Sequence, residues 1–199
     1  WNAWHGVYGP RFTREKTKTA LEWLKEREFR IRGHCLVWPD WKYLLPWGES
    51  LRDDLPELSR RILNHIDEMA DFTGPYVDEW DVVNEPVHQN EVIKALGDSS
   101  MATWFSHARA LLPDSCRLFI NDFNILNPLC FPQRMAYEKI ITELLAANAP
   151  LEGIGFQGHF QDPPGSPVEA LKVFDRFARF GLPFMVTEFD VNTKDEDRQ

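Results

Sequence analysis

Glu79-Trp80-Asp81-Val82-Val83-Asn84-Glu85-Pro86 is the stretch on which the reading of this chain turns. Its apolar run, Trp80 to Val83, predicts a buried strand that delivers an Asn-Glu pair directly into a proline. Proline lacks the N–H that a central strand needs, so the ladder stops there and Glu85 stands at a strand's carboxyl end. Far along the chain, Pro183-Phe184-Met185-Val186-Thr187-Glu188-Phe189-Asp190 repeats the pattern and places Glu188 in the same way. Two acids at the ends of parallel strands can face one another, because a parallel barrel gathers its functional side chains at the carboxyl edge.

Outward from these two stretches, the chain alternates. Residues 1 to 12 mix Trp, Gly and Pro without periodicity and read as loop. Thr13 is placed to cap a helix reaching about Phe29, with Leu21, Leu24 and Phe29 inward. A strand follows from Arg30 to Trp38, closed by Pro39, and then a long loop, residues 39 to 55, carrying Trp41, Tyr43 and Trp47. A helix from about Pro56 to Phe72 sets Leu58, Ile62, Ile66 and Met69 on one face, and Gly74-Pro75 ends it. The strand Tyr76 to Asn84 presents Glu85. After a loop come a helix around Met101 to Leu112, a strand Arg117 to Asp122, a helix from about Pro132 to Asn148 and a strand Gly153 to His159. Ser166 caps a helix from Pro167 to Phe180, Gly181 terminates it, and the last strand is Pro183 to Asp190.

Five strands and five helices in alternation imply βα units, with a parallel sheet and helices packed outside it. The strands are apolar on both faces, as buried parallel strands are. Five units do not close an eight-stranded barrel of about 250 residues, so the sheet is either open and doubly wound or a barrel with strands missing at its ends. No Gly-rich phosphate turn follows any strand, which weakens the open sheet. Polar residues crowd every strand end instead: His34, Asn84 and Glu85, Asn121 and Asp122, Gln157 and His159, Glu188 and Asp190. An open sheet collects function only at its switch point, whereas a barrel gathers every strand end on one rim. The polar strand ends favour the barrel, so the expected fold is α/β, an incomplete TIM (β/α)8 barrel, as one partial domain over residues 1–199.

Composition narrows the partners. With 199 residues, 43% apolar and 13% aromatic, one core and one domain are expected. Thirty-one acids against 22 bases give a net charge of −9, which argues against a phosphate-backbone partner, since that needs clustered Lys and Arg. Cys35, Cys116 and Cys130 are odd in number and scattered, so buried thiols are expected rather than a disulfide framework or zinc knuckle. No run of about 18 apolar residues could span a membrane. The abrupt opening on Trp1 and the charged Lys194 to Gln199 stretch read as cuts at both ends. His34, His159, Glu188 and Asp190 lack the His-Glu-x-x-His type of spacing that would argue for a metal, and no cofactor is expected.

Paired carboxylates are the minimal machinery for cleaving a glycosidic bond. Gly33-His34-Cys35-Leu36-Val37-Trp38, Trp80 to Pro86, Asn121-Asp122-Phe123-Asn124, Gly153-Ile154-Gly155-Phe156-Gln157-Gly158-His159 and Thr187-Glu188-Phe189-Asp190 resemble, in this order, the strand-end motifs of glycoside hydrolase family 10, the retaining endo-β-1,4-xylanases. The resemblance implies a (β/α)8 barrel of which strands three to seven are present. It implies Glu85 as acid/base, Glu188 as nucleophile and Asn84 as the residue that bonds the sugar 2-OH. It further implies His159 beside the nucleophile with Asp190 supporting it, and His34, Trp38 and Gln157 lining the glycone subsites and the acid/base surroundings. Xylan or xylo-oligosaccharide is the implied partner, with a secreted monomer as its form.

The chain departs from the family pattern at Pro39, where a second His usually follows the Trp. The Glu-Asn and Lys motif for the distal sugar would lie before Trp1, and the eighth strand with its subsite tryptophans after Gln199. Two other readings stand beside the xylanase: a catalytically incompetent fragment or carbohydrate-binding relic, and a related two-glutamate β-glucanase or mannanase. Asn121 and Asp122 either touch substrate or cap the following loop. Trp41 and Trp47 either stack on sugars or pack on the rim.

Overall fold

The computed structural model describes residues 13–161 and 165–192; the loop expected at residues 1 to 12 and the charged tail lie outside the described residues. Strand β2 (Glu79–Asn84) is buried at all six positions. It pairs in parallel with β1 (Arg32–Val37) on one side and β3 (Arg117–Asp122) on the other. β4 (Gly153–Gln161) and β5 (Phe184–Asn192) continue the sheet in the order β1-β2-β3-β4-β5, every pairing parallel. A doubly wound sheet reverses its strand order at a switch point. This sheet never reverses, so the open-sheet alternative fails and the fold is an arc of a TIM barrel.

Among the described residues six α-helices accompany the strands: α1 (Arg14–Glu26), α2 (Leu55–Thr73), α3 (Glu91–Leu96), α4 (Ser100–Leu111), α5 (Phe131–Ala146) and α6 (Pro167–Ala178). Three of them, α1, α2 and α6, start at side-chain caps. Thr13, Asp54 and Ser166 accept from the backbone N–H of Lys16, Glu57 and Val168, satisfying donors that the first turn leaves unpaired. The α2 stripe packs as its spacing predicts, with Leu58, Ile62 and Ile66 wholly buried and Met69 nearly so. Between sheet and helices, Phe156 meets Phe177 edge-on at 5.0 Å and Tyr137 at 6.2 Å.

Several expectations shift. Phe29 is exposed and stacks on Trp23 rather than facing inward, because α1 ends at Glu26 and Glu28 turns left-handed at φ 59°. The short α3 is unannounced by any period. Trp41 is buried under the Arg52 guanidinium, 4.6 Å from its ring centroid, and Trp47 packs against the core, so both take the packing alternative. Cys35 and Cys116 are buried free thiols, and Cys130 is half-buried.

Candidate active site

Glu85 follows the last residue of β2 in a left-handed conformation, φ 56°. Its N–H donates to the Asn121 carbonyl at 2.7 Å, and its own carbonyl accepts from the N–H groups of His88 at 3.1 Å and Gln89 at 2.7 Å. Left-handed backbone is rare for a residue with a Cβ and persists where its surroundings over-determine it. The carboxylate is held too: Trp38 Nε1 donates to Oε2 at 3.0 Å and Gln157 Nε2 to Oε1 at 3.0 Å. Trp38 is in turn stacked on Tyr43, with centroids 4.0 Å apart.

Glu188 is aimed by a different device. β4 and β5 pair Gln157 with Thr187 and next His159 with Asp190, so Glu188 and Phe189 oppose the single residue Gly158. This is a β-bulge, and Glu188 sits in it at φ 52°. The expected strand end is therefore a bulge inside a longer strand, since β5 runs on to Asn192 beside an equally extended β4. Asn121 Nδ2 donates to Glu188 Oε1 at 2.7 Å, and His159 Nε2 lies 3.2 Å from Oε2. His34 Nδ1 stands 3.8 Å from Oε1. The other face of His159 meets Asp190 at 2.6 Å. Desolvation works against the charged imidazole, but the bonds to Asp190 and Glu188 outweigh it and raise the His159 pKa.

One hydrogen-bonded relay ties the two acids together. Asn84 Oδ1 accepts from Gln157 Nε2 at 3.2 Å and from Asn121 Nδ2 at 3.1 Å. Those same two amide groups also bond Glu85 and Glu188. Thr187 Oγ1 fixes the Asn121 amide by donating to its Oδ1 at 2.7 Å. The relay leaves the buried Asn84 Nδ2 without a protein partner, a donor whose unmet bond is costly unless a ligand acceptor meets it. Beside the relay, a cavity of about 230 Å³ is lined by Asn124, Leu126, Asn127, Pro128, Leu129, Gln157, His159, Phe160 and Gly165.

The remaining predicted residues separate into layers. His34 Nδ1 lies 3.0 Å from Asp81, which also takes a two-pronged ion pair from Arg32. Asp122 has no exposure; it accepts from the Val87 and Phe123 N–H groups and faces His88, so it caps the loops rather than lining the cleft. Burial, partly offset by these bonds, pushes its carboxyl up to about 6. Sequence reasoning passed over Arg32, Asp81, His88 and Thr187. Asp81 and Arg32 carried a signal, since charged residues at every second position of two apolar strands mark one inward face; His88 carried none.

Sequential parallel strands with two carboxylates on one hydrogen-bonded rim define the class: a barrel of the glycosidase type. The chain belongs to glycosyl hydrolase family 10, whose model matches residues 1–199. It is 30% identical over 195 residues to endo-1,4-beta-xylanase A of Caldicellulosiruptor saccharolyticus, covering 92% of this chain and 55% of that protein. It is also 30% identical over 184 residues to a beta-1,4-xylanase of Dictyoglomus thermophilum, covering 86% and 49%. Among solved structures, a family 10 xylanase of Thermobacillus composti superposes with a TM-score of 0.74 at 30% identity, over 94% of this chain and 56% of that one. A family 10 xylanase of Bispora sp. MEY-1, determined with xylobiose, gives 0.77 at 25% identity, over 90% and 57%. The chain thus spans about half the length of the curated relatives it matches.

Proposed function

We propose that this protein is a retaining endo-1,4-β-xylanase, secreted and monomeric, acting on internal bonds of xylan or xylo-oligosaccharides. Glu188 attacks the anomeric carbon while Glu85 protonates the departing glycosidic oxygen; Glu85 then takes a proton from the water that releases the glycosyl enzyme. His159, held by Asp190, keeps the nucleophile oriented. The unpartnered Asn84 Nδ2 supplies the bond to the sugar 2-OH, which tightens as the oxocarbenium-like transition state forms. His34, Trp38 and Gln157 shape the glycone side and the acid/base surroundings. The observation that carries this reading is the relay through Asn84, which couples both carboxylates to one amide oxygen. Family membership and the names of the relatives support xylan as the substrate.

Reducing-sugar release from xylan and from barley β-glucan tests it. Release from xylan is expected, abolished in Glu188→Ala and lowered about 10²- to 10⁴-fold in Glu85→Ala. With an aryl xylobioside whose leaving group needs no protonation, Glu85→Ala keeps its first step. Faster release from β-glucan than from xylan would move the substrate to the glucanase reading, and full activity in Glu188→Ala would end the hydrolase reading.

A further inference from the structure

Three donors converge on the buried Asp122 carboxyl at the end of β3. Oδ2 accepts from the Val87 N–H at 2.8 Å; Oδ1 accepts from the Phe123 N–H at 2.9 Å and faces His88 Nδ1 at 2.7 Å. The His88 ring lies against Phe123, centroids 3.8 Å apart. Val87 and His88 sit two and three residues beyond Glu85, in the loop whose N–H groups close back on the Glu85 carbonyl. Asp122 therefore grips this loop from one side while the Asn121 carbonyl grips the Glu85 N–H from the other. Between the two grips Glu85 keeps its left-handed backbone.

We propose that Asp122 and His88 form a proton-operated latch: the ionised Asp122 carboxyl clamps the loop and aims Glu85, and a proton on that carboxyl releases the Val87 N–H and lets Glu85 turn out of line. The catalytic consequence rests on the acid/base role proposed for Glu85, whereas the latch itself does not. Both are positioning residues. Against an ionised carboxyl, which only accepts, His88 donates through Nδ1–H, and its Nε2 is buried without a partner. Oδ1 already faces two donors and Oδ2 only one, so a proton arriving on the carboxyl goes to Oδ2. There the proton turns an acceptor oxygen into a donor aimed at an N–H already pointing toward it. Burial is the largest influence on Asp122 and pushes it up to about 6 against the pull of His88, Val87 and Phe123. Among the described residues, the titratable groups that face it are His88, from the loop after β2, and the Tyr137 hydroxyl, from α5. Burial, then Asp122 itself, holds that hydroxyl well above its usual range, so it stays neutral throughout.

Amide exchange at Val87, followed by NMR and corrected for intrinsic pH dependence, reads the latch without reference to catalysis. Protection is expected to fall about tenfold as pH drops from about 7 to about 5, the loss of one charge-assisted hydrogen bond. Asp122→Asn should flatten that dependence. His88→Phe, which keeps the ring stack but removes the donor, should move the transition up by about one pH unit, and His88→Gln, which keeps an N–H, should move it less. In the xylan assay the acid limb of kcat should follow the same order with KM little changed. Val87 protection that is equal at both pH values, or that responds alike in wild type and His88→Phe, overturns the latch. Wild type that releases no sugar while the exchange pattern holds overturns the glycosidase reading and leaves the latch standing.

Discussion

Gly155 has no room for a side chain: a Cβ there would run into Asn121 Oδ1 and stand 3.0 Å from its Cγ. Elsewhere an amide could swing aside, but Asn121 is tied to Asn84, Glu188 and Thr187 at once. Gly155→Ala must therefore displace either the backbone of β4 or the group that orients Glu188. Overpacking of this kind costs about 1–3 kcal/mol. The expected outcome is a lower denaturant midpoint together with a fall in kcat larger than any rise in KM. A variant with full kcat would show that the Asn121 bond to Glu188 does not orient it.

At the scale of elements, Tyr137 stitches α5 to the sheet. Its hydroxyl is buried and shared between the Ile120 carbonyl of β3 at 3.0 Å and the Gly155 carbonyl of β4 at 2.9 Å. Tyr137→Phe removes a donor that two buried acceptors use, so urea unfolding should lose about 1–3 kcal/mol while KM for xylan stays unchanged; an unaltered midpoint would mean the ladder alone satisfies both carbonyls. The elements themselves were unevenly legible. α2 could be read because Leu58, Ile62, Ile66 and Met69 share one face and bury together. α3, six residues long, is too short to show a period and is placed by tertiary packing. Strand ends beyond His159 and Asp190 were missed because β4 and β5 extend each other by pairing, which no local propensity encodes. The residues gathered on the rim were visible as polar strand ends, but His88 was not: its partner lies on β3, and a histidine in a Pro-initiated loop has no spacing to betray it.

For the whole molecule, charge sets where along the pH axis the fold is firmest. His159 has a raised pKa, so its contribution is complete below its unfolded value of 6.5 and is lost as pH climbs through the folded value. Asp122 is also raised, from 3.8 to about 6, and for an acid this means the buried charge burdens the fold at neutral pH; stability gains as pH falls through that window. Glu57 is lowered from 4.5 to about 2 by its hydrogen bonds to Arg60 and Arg61, so its contribution is present above 4.5 and disappears as acid protonates it. With 31 acids and 22 bases the self-repulsion of a net −9 also eases as pH drops toward the pI of about 5.2. These effects agree on a melting temperature that is highest near pH 5 and lower at pH 8, which differential scanning calorimetry across that range would show. Asp122→Asn, which cannot ionise, should narrow the difference, and a midpoint that rises steadily toward pH 8 would contradict the account. Since the latch needs Asp122 ionised, activity should peak at a higher pH than stability does. The fold thus carries a buried charge that weakens it because the loop bearing Glu85 is held by that charge, the kind of stability cost active sites incur.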